Sequence, residues 1–93
     1  MDDESISMRI EATIKHEIGL HARPAVLFVQ TAAQFQSSIR ILYNGKEANG
    51  KSLLSVLGLG IRKDAQITIC ANGENSNDAL AALQALIENN FGE

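Results

Sequence analysis

Met8, Ile10, Ala12 and Ile14 alternate with Arg9, Glu11 and Thr13, the period of two expected of a strand with one buried face. From Ala22 to Phe35 the spacing changes. Val26, Leu27, Phe28, Val29 and Ala33 are mixed with Gln30, Thr31 and Gln34, and Pro24 falls where the first turn of a helix tolerates a missing N–H. This predicts a first helix over 22–35. Ile39, Ile41 and Tyr43 then alternate with Ser38, Arg40 and Leu42 up to Asn44-Gly45, a pair that readily takes the positive φ angles of a tight hairpin. A short third strand follows around Lys46 to Ala48.

Ser52 precedes Leu53-Leu54-Ser55-Val56-Leu57 and is placed to cap a short second helix ending near Gly58 or Gly60. Ala65 to Ala71 forms a fourth strand, Asn72-Gly73 a turn, and Asn75-Ser76-Asn77-Asp78 offers capping side chains to a last helix. The apolar face of that helix is Leu80, Leu83, Leu86 and Ile87. The order β-α-β-β-α-β-α, with singly striped helices and alternating strands, predicts an α+β fold of two layers. In it an antiparallel or mixed four-stranded sheet is covered on one face by three helices. With 93 residues the chain is expected to form one domain, in which residues 1–6 are a flexible acidic extension.

Composition narrows the functional classes. The net charge is -3, without the Lys and Arg clusters that give affinity for phosphate backbones, so proteins are expected as partners rather than nucleic acid. Four aromatic residues (Phe28, Phe35, Tyr43, Phe91) and no tryptophan leave the core to Leu, Ile, Val and Ala, and a deep substrate pocket is not expected. The single Cys70 cannot form an internal disulfide, and its apolar neighbours Ile69 and Ala71 suggest a buried thiol. No run is long enough to span a bilayer and the start is acidic, so the chain reads as cytoplasmic with no membrane insertion.

Gly19-Leu20-His21-Ala22-Arg23-Pro24-Ala25 joins the first strand to the first helix and gathers the chemistry. A helix start presents N–H groups and the positive end of the macrodipole, so a phosphate there can bond to backbone without a cage of side chains. An imidazole is largely neutral near pH 7, and a neutral ring nitrogen is a nucleophile. His21 is therefore the candidate acceptor. Arg23 can stabilise charge on the phosphate oxygens, with Ala22 and Pro24 positioning the phosphate: Pro24 stiffens the turn that aims both side chains. His16 lies five residues upstream, but no Cys, His or carboxylate at ligand spacing completes a metal site, and neither metal nor cofactor is expected.

These residues resemble the HPr phosphocarrier proteins of the bacterial phosphoenolpyruvate-dependent phosphotransferase system. The His21 segment is similar to the family's active-site signature, and Gly50-Lys51-Ser52-Leu53-Leu54-Ser55-Val56-Leu57-Gly58-Leu59-Gly60 to its serine-containing signature. Tyr43-Asn44-Gly45-Lys46 falls at the family's hairpin, and the likeness runs from about Met8 to Phe91. It implies an open-faced β-sandwich with strand order 1-4-2-3. It also implies a carrier, not a free-standing enzyme, that takes phosphate on His21 from phosphoenolpyruvate-charged enzyme I and passes it to enzyme II A domains for sugar uptake. Ile18 departs from the family, many of whose members have a polar residue there.

The resemblance further implies that Ser52 is a site for regulatory phosphorylation by an HPr kinase/phosphorylase, alongside its capping role. Leu54 and Leu57, three apart, are implied to form an exposed docking patch, rimmed by Arg23 and Lys51 and suited to an acidic, apolar partner surface. A monomer is expected. The alternative is an HPr-like regulatory protein that controls transcription factors or kinases through its phosphorylation state; the presence of His21 favours the carrier. A small-molecule sensor would leave His21-Ala22-Arg23-Pro24 unexplained.

Overall fold

The computed structural model of the chain describes residues 7–92. The acidic segment 1–6 and the flexibility expected of it lie outside the described residues. The elements run β1 (Ser7–Thr13), α1 (Ala22–Ala32), β2 (Ser38–Tyr43), β3 (Lys46–Asn49), α2 (Leu53–Gly58), β4 (Gln66–Asn72) and α3 (Ser76–Glu88), closed by a 3₁₀ turn over Asn90–Gly92. The four strands form one antiparallel sheet in the order β1-β4-β2-β3. Three helices cover one of its faces, giving the open-faced α+β sandwich.

Strand alternation explains the two faces. Ile10 pairs with Ile69, which pairs with Ile41, which pairs with Ala48, so one apolar row crosses the whole sheet beneath the helices. Ile39, Ile41, Ile67, Ile69 and Ala71 are buried there against Phe28 of α1, Val56 of α2 and Leu80, Leu83 and Ile87 of α3. The core is mainly aliphatic, as the composition required, with Phe28 and Phe91 buried in it. Cys70 is buried as expected, but its register sets it on the opposite, open face, between Arg9 on β1 and Arg40 on β2.

Several boundaries differ from expectation. The first helix ends at Ala32 instead of Phe35, because the N–H groups of Gln34 and Phe35 turn back to the carbonyls of Thr31 and Ala32 and tighten the chain out of α geometry. Lys51 Nζ then donates to the Phe35 carbonyl at 2.6 Å, holding that corner. Before α3, Asn75 is left-handed (φ 66°) and makes no side-chain capping bond; Ser76 Oγ instead donates to the Gly73 carbonyl at 2.6 Å. Strands β1 and β4 are each shifted by one residue from the spans expected. The ladder near Ile14 gives way to loop bonds: the Ile14 N–H donates to Ala65 and its carbonyl accepts from Asp64. The Asn44-Gly45 hairpin forms as expected, with φ angles of 53° and 80°.

Candidate functional site

The loop between β1 and α1 is shaped by a close approach. Gly19 adopts φ +81°, and a Cβ on it would lie 2.5 Å from the Ile61 carbonyl oxygen and 2.7 Å from Arg62 Cα. Only glycine meets both conditions. With that contact made, the Leu20 N–H donates to the Ile61 carbonyl at 3.0 Å and the Leu20 side chain is buried. His21 follows in extended conformation (φ -96°, ψ -164°) as the residue that starts α1, its own N–H donating to the Gly19 carbonyl at 2.9 Å.

At a helix start the capping side chain usually takes up a backbone N–H. His21 does not: its carbonyl accepts the Ala25 N–H at 2.8 Å, but its imidazole makes no capping bond, and the residue is exposed. The first turn of α1 carries no acidic residue, so no carboxylate of that turn opposes an anion at the positive end of the helix. Ala22 and Arg23 are exposed beside His21, whereas Pro24 and Ala25 are buried and, with Phe28, anchor the turn to the core. Rigid support below and exposed nitrogen above suit an N–P bond that must form and break.

The second signature also has a definite geometry. Ser52 starts α2, and its Oγ accepts the Ser55 N–H at 3.3 Å, the cap expected from the sequence. Leu54 is 83 % exposed and Leu57 36 %. Leu53 in α2 and Ile18, 64 % exposed, in the loop before His21 are exposed as well, and the sequence reading did not assign them to docking. An apolar side chain in place of a polar one at position 18 was the available signal. Since α2 leads into Ile61, and Ile61 clasps Leu20, the surface of α2 and the His21 loop belong to one end of the molecule.

Lys51 also has a structural part: its ammonium donates to the Phe35 carbonyl and its N–H to Asn49 Oδ1, so it braces the corner between α1 and β2. His16 is buried, 6 % exposed, with its ring edge against Phe91. Among the described residues no cluster of three or more His, Cys, Asp or Glu could hold a metal ion. Among the same residues no helix is long and apolar enough to cross a membrane.

Comparison with known proteins accounts for this arrangement. A family model described as the PTS HPr component phosphorylation site matches residues 8–89. The structure of HPr from Thermoanaerobacter tengcongensis is similar with a TM-score of 0.90 at 41% identity, covering 92% of this chain and 97% of that one. The phosphocarrier protein HPr from Bacillus anthracis str. Ames has a TM-score of 0.84 at 37% identity, covering 87% and 96%. The Bacillus subtilis catabolite repression protein Crh, described as a swapped dimer, has a TM-score of 0.72 at 34% identity, covering 85% and 91%. The exposed histidine at a helix start, the serine-capped second helix and the sheet order 1-4-2-3 thus occur together in a chain that belongs to the HPr family, the phosphocarriers of the phosphotransferase system.

Proposed function

We propose that His21 accepts a phosphoryl group from phosphoenolpyruvate-charged enzyme I and passes it to enzyme II A domains during sugar uptake. A ring nitrogen attacks phosphorus, the N–P bond forms as the donor's bond to phosphorus breaks, and the reverse displacement discharges the group to the next acceptor. The observation that carries this reading is the exposed, uncapping imidazole of His21 at a helix start without carboxylates. Arg23, beside it, balances charge on the transferring oxygens, and Ala22 and Pro24 hold the turn.

Docking uses the apolar surface of Leu54 and Leu57, extended by Leu53 and Ile18. Burying such a patch drives association, while Arg23 orients an acidic partner. Phosphorylation of Ser52 by an HPr kinase/phosphorylase replaces a neutral cap with an anion in that surface and opposes docking. The test is a two-stage transfer: protein charged by enzyme I, then separated from it, should deliver its phosphoryl group to an enzyme II A domain. Charging without onward delivery would remove the carrier role.

A further inference from the structure

The two residues that lead into Leu20 and His21 have no side-chain anchor. Ile18 projects into solvent, 64 % exposed, and Gly19 has no side chain. What fixes them is His16. The Ile18 N–H donates to His16 Nδ1 at 3.2 Å, and the Gly19 N–H donates to the His16 carbonyl at 2.9 Å, so two consecutive amides are held by one residue. An imidazole nitrogen that accepts carries no proton, so this bond selects the ring form with a bare Nδ1.

The ring is itself fixed from the far end of the chain. Phe91, buried in the terminal 3₁₀ turn, meets it edge to face at a centroid separation of 6.3 Å and an interplanar angle of 73°. The acceptor ring is buried and held, so the amide bonded to it has a defined direction. Gly19 continues that direction: its carbonyl receives the His21 N–H and its Cα packs on Ile61 and Arg62.

We propose that His16 is a positioning residue for phosphoryl transfer. Its Nδ1 and its carbonyl set the path of Ile18 and Gly19, and through them the placement of the His21 imidazole at the start of α1. The proposal rests on His21 as the phosphoryl acceptor. It assigns a role to a buried histidine that does not itself touch the phosphate, and makes the terminal turn around Phe91 part of the support of the site. Small errors in placing a reacting group cost rate more than affinity, so the effect belongs in the transfer step rather than in docking.

Two substitutions separate positioning from packing. His16→Leu fills space but cannot accept, whereas His16→Asn can place an amide oxygen close to the position of Nδ1. In His16→Leu, hydrogen exchange of the Ile18 amide should accelerate about fivefold or more. The transfer rate from saturating enzyme I should fall about fivefold to tenfold with KM little changed. His16→Asn should restore both to within about twofold of the unmodified protein. Equal transfer rates in His16→Leu and the unmodified protein, or a folded His16→Asn that remains slow, would overturn the proposal.

If His16→Leu does not fold, the unmodified protein still decides. A through-hydrogen-bond nitrogen–nitrogen coupling between the Ile18 amide and His16 Nδ1 should be observed by NMR, and its absence overturns the proposal. An unmodified protein that takes no phosphoryl group from enzyme I would instead defeat the carrier reading and this one with it. A labelled unmodified protein with equally fast His16→Leu defeats the role of His16 alone.

Discussion

The Leu20 N–H donates to the Ile61 carbonyl across 3.0 Å, and by that bond the loop carrying the candidate nucleophile is sewn to the segment that leaves α2. The two signatures of the sequence, separated along the chain, become one surface. In the function proposed above, His21 supplies the reacting nitrogen and the exposed leucines of α2 are what a partner buries.

That seam depends on Gly19. Gly19→Ala forces a side chain into a backbone conformation with φ +81° and against the Ile61 carbonyl. The expected cost is about 3 kcal/mol in denaturant unfolding, with slower phosphoryl transfer in whatever fraction remains folded. Unchanged stability would show that the loop can move away from Ile61 without penalty.

Arg23→Ala should leave stability within about 0.5 kcal/mol of the unmodified protein, because the residue is exposed. The transfer rate should fall about tenfold or more, since the guanidinium acts on charge borne by the reacting phosphate. Thermal melting and rapid-quench phosphorylation read the two effects separately, and unaltered rates would remove Arg23 from the site.

Leu54→Ser changes a side chain that is already 83 % exposed, so stability should move by less than about 0.5 kcal/mol. If partners bury it, KM for enzyme I should rise about tenfold while the maximal rate holds. A variant with unchanged KM would place docking elsewhere.

Ser52 separates a structural role from a regulatory one. Ser52→Ala removes the acceptor of the Ser55 N–H and should cost ~1 kcal/mol with little effect on docking. Ser52→Asp keeps an acceptor but adds negative charge, and should weaken the binding of enzyme I most strongly at low salt. Equal affinity of Ser52→Asp and the unmodified protein at low salt would rule out electrostatic blocking.

Local order was legible in the sequence where one physical preference dominated. The alternation of Met8 to Ile14 marks β1, Asn44-Gly45 marks the hairpin, and Ser52 ahead of an apolar run marks the cap of α2. Alternation does not tell a strand its neighbours, so the placement of β4 between β1 and β2 followed from family likeness alone. The early end of α1 lies in the turning back of the Gln34 and Phe35 N–H groups, at a corner held by Lys51 on the Phe35 carbonyl, a contact between residues 16 positions apart. Likewise Asn75 has a capping side chain but takes a left-handed turn, and Ser76 bonds backward to Gly73.

At the site, the exposed end of α1 was readable because Pro24 marks its first turn. The bond of His16 to the Ile18 amide was not, since a histidine shows its tautomer only when its neighbours are in place.

The central claim is that His21 carries the phosphoryl group. Its most direct measurement is intact-mass and peptide analysis of the protein after incubation with enzyme I and phosphoenolpyruvate, repeated with His21→Ala. One phosphoryl group, labile in acid and stable in alkali, should be found on the peptide containing His21, and none on the folded variant. Label that persists in His21→Ala, or that resides on His16, would contradict the account.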